Sequence, residues 1–237
     1  MILYSHGDSV VWGAELENKQ TERFSHHLAK DLDAIDCNNA SAGVSNDYIY
    51  RQTMRDLSHW ACTNECWSEE QGWVKSDKIK VVIGWTAPTR FEWWNGESYE
   101  QERLWKGYDK WGDNDKDRTT EDEFVLNQTE DIPSYIRTFN HVISLASYCE
   151  ELGVDYFFFN SFYEYNMLSD PSTKIDEFGR DKDMIGMKYL WARLPLSFQH
   201  NMYKWLQSNN GTFHPRKHPT KQSHELWAKR VKTIMEN

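Results

Sequence analysis

Short apolar runs alternating with amphipathic helical stretches predict an α/β protein built on a mostly parallel sheet. Three segments carry that reading. KIKVVIGW, residues 78–85, is a β-branched run of the kind a buried parallel strand shows. VDYFFFNSF, from residue 154, is a second such run. Between them SYIRTFNHVISLASYCEELG reads as a helix, with Pro133 at its first position and Gly153 as its stop.

The other elements follow in order. Ile2 to Tyr4 reads as a short strand that ends in the turn Gly7-Asp8-Ser9. NKQTERFSHHLAKDL places Phe24, Leu28 and Leu32 four residues apart, one apolar stripe of a single helix. A second strand is expected over roughly 34–40, then the turn-rich SAGVSND, then a helix over 48–60 with Ile49, Met54 and Leu57. SFQHNMYKWLQ and KQSHELWAKRVKTIM read as the last two helices. Crossovers between parallel strands are right-handed, and reactive groups gather at the carboxyl ends of the strands. Two polar stretches interrupt the rhythm, one from Thr86 to Asp131 and one from Met167 to Met187. A connection as long as the first is functional or disordered. Residues 1–237 are therefore read as one domain with a lid-like insertion at about 86–131.

Composition excludes several functions. The chain has 237 residues, 39% of them hydrophobic, enough for a substantial core. A net charge of −10 without a Lys/Arg cluster argues against charge-driven binding to nucleic acid or anionic membrane. No basic-then-apolar leader precedes Ser9, and no apolar run approaches the roughly eighteen residues of a membrane span, so a cytoplasmic location is expected. Cys62 and Cys66 have a spacing that fits no standard zinc or redox motif; with Cys37 and Cys149 they are read as free thiols, a Cys62–Cys66 disulfide being the alternative. The twelve Trp either fill the core or line a groove for flat-faced ligands.

Serine hydrolysis needs a nucleophile, a histidine that takes its proton, and donors for the oxyanion. The G-x-S-x-G elbow fails at Gly43-Val44-Ser45-Asn46-Asp47. Ser9, at the end of the first strand, is the natural nucleophile, and GTFHPRKHPTKQSHELWA offers His214, His218 and His224 as bases. A metal cluster of these histidines is disfavoured, because Pro215 and Pro219 prevent the helical spacing of H-E-x-x-H.

In these blocks the chain resembles the SGNH (GDSL) hydrolase superfamily, most of all its GDS-x-x-W-G versions from bacteria and phages. The first block is Gly7-Asp8-Ser9-Val10-Val11-Trp12-Gly13-Ala14-Glu15-Leu16, the second runs from Asn39 to Asp47 and on to Arg51, and the last holds His218-Pro219, His224, Trp227 and Ala228. The resemblance implies a three-layer α/β/α sandwich of flavodoxin-like layering and a serine esterase that needs no cofactor. It makes Ser9 the nucleophile and His218 the base, with His214 as the alternative. It assigns the oxyanion to the backbone N–H groups of Ser9 and Gly43, and leaves Asp8 to support the turn. The chain departs from the family twice. Thr86 stands where an Asn donor is usual, and the positions that ordinarily hold the orienting acid are Pro215 and Arg216. Thr86 is then a substitute donor, and the partner of His218 Nδ1 is the open point. Trp85, at the end of the third strand, and Trp93 and Trp94 beyond it are candidates for a wall that stacks on substrate. The expected substrate is a small-molecule or carbohydrate ester, such as an O-acetyl group. The competing reading is a catalytically silent module of the same fold that binds carbohydrate or serves a structural role.

Overall fold

The computed structural model describes residues 1–88, 90–94, 99–103, 131–162 and 189–236. Four parallel strands form the central sheet in the order β2-β1-β5-β8: β1 (Ile2–Gly7), β2 (Ile35–Asn38), β5 (Ile79–Trp85) and β8 (Asp155–Asn160). Alternate residues of a strand face opposite sides, and each side here has its own apolar layer. Ile2, Tyr4, Val81, Ile83 and Phe158 pack under α4 (Asn46–Thr63) and α5 (Asp131–Leu152). Leu3, Val82, Phe157 and Phe159 pack under α1 (Ser9–Trp12), α3 (Phe24–Asp31), α6 (Met202–Ser208) and α7 (Lys221–Met235). The result is the expected three-layer α/β/α sandwich with flavodoxin-like strand order. In that order the chain leaves β1 toward one edge and then crosses to the other, opening a crevice at the carboxyl ends of β1 and β5.

The expected helix from Asn18 to Leu32 is two pieces, α2 (Lys19–Glu22) and α3, broken at Arg23 with φ −71° and ψ 154°. Arg23 is 2% exposed and donates to Asp36 Oδ2 at 3.1 Å and to Glu69 Oε2 at 2.7 Å. A buried guanidinium must be paired, and satisfying both carboxylates takes precedence over continuing the apolar stripe. The stretch SFQHNMYKWLQ is also broken, into a 3-10 turn at Leu196–Gln199 and α6. The His200 carbonyl accepts the Asn160 N–H at 2.8 Å at the end of β8, and Asn201 caps α6 by accepting from Lys204 N–H at 2.8 Å.

Two antiparallel hairpins lie outside the central sheet. β3 (Glu65–Ser68) pairs with β4 (Gly72–Lys75), a hairpin that the polar sequence there did not announce. β6 (Arg90–Trp94) pairs with β7 (Tyr99–Arg103) within the stretch read as an insertion. The remainder of that stretch, 104–130, and the segment 167–187 lie outside the described residues. Cys37, Cys66 and Cys149 are buried, Cys62 is exposed, and all four are free thiols. No helix among the described residues is long and apolar enough to cross a membrane.

Candidate active site

The Gly7-Asp8-Ser9 turn follows from sterics at Gly7. Gly7 pairs with Gly84 across β1 and β5, and Val11 of α1 packs down onto both. A Cβ at Gly7 would run into the Val11 side chain and lie 2.6 Å from the Gly84 carbonyl oxygen. Gly7→Ala is therefore expected to destabilise the protein by roughly 1–3 kcal/mol, measured by denaturant unfolding, since backbone on one side and a core side chain on the other cannot yield. Asp8 caps α1, its Oδ1 accepting the Val10 N–H at 3.0 Å. Asp8 is completely buried, and burial raises its carboxyl above the ordinary carboxylate value; the Arg90 charge, the Val10 N–H and the Thr86 and Ser161 hydroxyls oppose that rise. Ser9 stands at the first position of α1, half-buried at the carboxyl edge of the sheet.

After one helical turn the chain must reverse. Gly13 does so in the left-handed region at φ 85°, its N–H directed at the Ser9 and Val10 carbonyls. Two residues later Glu15 is left-handed as well, at φ 68°.

The histidine arrives from the other end of the chain on a tight loop. Phe213 and Pro219 form a bridge, the His214 N–H donates to the His218 carbonyl at 2.8 Å, and Lys217 closes the loop at φ 67°. Ser223 of α7 ties this loop down by accepting the Thr212 N–H and donating to the Thr212 carbonyl, both at 2.7 Å. His218 Nε2 then lies 3.1 Å from Ser9 Oγ, and His218 Nδ1 lies 2.7 Å from Glu15 Oε2. The side chains of His218 and Glu15 are 24% and 23% exposed, so the array is open to a ligand. Desolvation raises the Glu15 carboxyl, but the hydrogen bond and charge of His218 outweigh it and hold it below the ordinary carboxylate value.

Residues 13–237 match the model of a family described as a family of unknown function, DUF6071. The chain belongs to that family. No curated protein matches it. Among solved structures, this DUF6071 chain is similar to an acetyl xylan esterase from the rumen bacterium Butyrivibrio proteoclasticus, at 11% identity and TM-score 0.48 over 99% of this chain and 63% of that one. It is similar to a protein assigned to the lipolytic G-D-S-L family from Desulfitobacterium hafniense DCB-2, at 9% identity and TM-score 0.47 over 98% of each chain. A third is a member of the same lipolytic family from Veillonella parvula DSM 2008, at 12% identity and TM-score 0.43 over 99% and 97%.

The DUF6071 fold treats the other expected site residues unequally. His218, and not His214, contacts Ser9; the His214 backbone instead closes the loop. The loop bearing Gly43, at φ 82°, is fastened beside the Gly7-Asp8-Ser9 turn by the Ser41 N–H, which donates to the Gly7 carbonyl at 3.1 Å. Thr86 is completely buried: its N–H donates to Asn46 Oδ1 at 2.9 Å and its hydroxyl turns toward Asp8. A hydroxyl so enclosed is not placed to meet an oxyanion, so Thr86 supports the turn instead. Trp85 is a correction too. Its side chain is completely buried and packs edge-on against Phe158, so it is a core residue and not a stacking wall. Trp93 and Trp94 lie on β6, and their rings are outside the described residues. His224 anchors the last helix, accepting the Phe24 N–H on Nδ1 at 3.1 Å.

Glu15 is the site residue that sequence spacing missed. The one signal for it was its place in Gly13-Ala14-Glu15, where a glycine able to turn left-handed precedes an acid close to the serine.

Proposed function

We propose that this DUF6071 chain is a serine hydrolase of carboxylic esters, working as an SGNH-type esterase through an acyl-enzyme. One observation carries the reading: Ser9 Oγ and His218 Nε2, from opposite ends of the chain, lie 3.1 Å apart on the open carboxyl edge of the sheet. That is the distance over which an imidazole takes a hydroxyl proton. Ser9 Oγ bonds to the acyl carbon as its proton passes to Nε2. The backbone N–H groups of Ser9 and Gly43 receive the developing oxyanion, a placement supported by the tie between their two loops. The imidazolium returns the proton to the leaving alcohol, and water then repeats the cycle on the acyl-enzyme. An O-acetylated carbohydrate is the first substrate to try.

A fluorophosphonate probe tests the reading directly. Ser9 in the folded chain is expected to be labelled stoichiometrically, and His218→Ala is expected to remove labelling. A folded wild-type chain that stays unlabelled at neutral pH would instead favour the silent binding module.

A further inference from the structure

We propose that Glu15 is the acid that orients His218, so that a single short turn, Ser9 to Glu15, carries both the nucleophile and the orienting carboxylate. The inference rests on the Ser9–His218 reading above. It departs from the pattern the sequence resembles, in which the acid lies just before the histidine. Here Pro215 and Arg216 occupy those places, and Lys217, next to the histidine, takes the left-handed turn that closes the loop.

The chemistry of the contact assigns its direction. An ionised carboxylate can only accept a hydrogen bond, so at 2.7 Å the proton must sit on His218 Nδ1. A neutral imidazole protonated on Nδ1 has its lone pair on Nε2, the nitrogen that faces Ser9 Oγ at 3.1 Å. Glu15 therefore selects the one tautomer that can accept the serine proton. When the Oγ–carbon bond forms and the carbonyl electrons move onto oxygen, the proton passes from Oγ to Nε2. The imidazolium charge then arises beside the Glu15 carboxylate. Glu15 stays ionised throughout, and the proton leaves on the alcohol as the ester C–O bond breaks.

The backbone points the same way. A glutamate at φ 68° is in a region that residues with a Cβ rarely adopt, and such outliers persist where the surroundings hold them in place. Gly13 at φ 85° sets the direction of approach, and the side-chain contact to His218 holds the far end. The pair is also unlike an ordinary surface ion pair. It joins residues 203 apart in sequence through the same imidazole that faces Ser9, whereas surface pairs mostly join mobile side chains to little effect. The titratable groups facing Glu15 are His218 and, more distantly, His214.

Glu15→Gln and Glu15→Asp in the full chain test the proposal through two separate readings. The first is the rate of fluorophosphonate labelling of Ser9 against pH. Glu15→Gln is expected to slow it by on the order of a hundred- to ten-thousand-fold and to shift its low-pH limb. Glu15→Asp, which keeps the charge, is expected to recover part of the rate with the wild-type limb. The second reading is the low-field imidazole Nδ1–H proton resonance of His218, expected in the wild type and shifted upfield or lost in Glu15→Gln. Wild-type labelling with an unmoved resonance in Glu15→Gln overturns the role of Glu15 and leaves the Ser–His reading intact. An unlabelled wild type whose resonance still depends on Glu15 overturns the hydrolase reading alone. If Glu15→Gln does not fold, Glu15→Asp decides: a carboxylate withdrawn by one methylene must slow labelling, and an unchanged rate sinks the proposal.

Discussion

Ser9→Ala is expected to abolish turnover of p-nitrophenyl acetate while leaving the fold intact. Removing the nucleophile of a Ser-His-acid array costs on the order of a million-fold in kcat, which corresponds to about 8 kcal/mol of transition-state stabilisation. The structure offers no folding penalty to confuse the result. Ser9 is half-buried, it occupies a helical position, and its hydroxyl bonds His218 across the open edge of the sheet. Alanine keeps the helical geometry there, and Asp8 caps the turn through the Val10 N–H whether or not a hydroxyl stands at position 9. The expected outcome is a variant with wild-type circular dichroism and melting temperature and only background ester hydrolysis. Turnover at the wild-type rate in Ser9→Ala would place the reaction elsewhere.

The second large effect is a loss of stability in mild acid. His6 and His224 are completely buried, and burial lowers them to about 4 and about 3 respectively. In the unfolded chain both titrate near 6.5. The folded values lie below the unfolded ones, so as pH falls below 6.5 the unfolded state takes up protons that the folded state refuses. Stability from this source is complete above about pH 7 and declines by roughly 1.4 kcal/mol per pH unit for each histidine, or about 5 kcal/mol for the two by pH 4.5. His27 and His200, also lowered by burial, act in the same direction. Asp8 and Asp36, raised by burial, act in the opposite one. The contribution of His224 is isolated by comparing urea unfolding of the wild type and His224→Gln between pH 7 and 4.5. Gln keeps an acceptor for the Phe24 N–H, so the variant is expected to show a slope shallower by about 1.4 kcal/mol per unit. Equal slopes would mean that His224 protonates in the folded state.

Much of the architecture was legible because its causes are local. The β-branched run before Gly84 and the aromatic run from Tyr156 are strands because both of their faces are buried. The last helix has the bounds its pattern predicts, Lys221 to Met235, because its apolar stripe is uninterrupted. Local reading failed where a distant partner intervened. Arg23 broke a well-patterned helix because its carboxylates, Asp36 and Glu69, arrive from other elements. Trp85 looked like a site residue because it ends the third strand at the sheet's carboxyl edge, yet strand alternation turns it into the layer under α4 and α5.

The same division runs through the candidate site. The places of Ser9 and His218 along the chain are legible locally, since a strand-to-turn junction and a loop before an amphipathic helix are written in neighbouring residues. Packing then accounts for the glycine before the turn, since Val11 leaves no room for a Cβ at Gly7. Which acid meets the histidine is settled by long-range packing. That choice depends on two left-handed residues, Gly13 and Glu15, and on a loop delivered from the far end of the chain. Gly13 is a local hint of the turn, but a contact across 203 residues has no local sequence signal, because it is set by the packing of the whole domain.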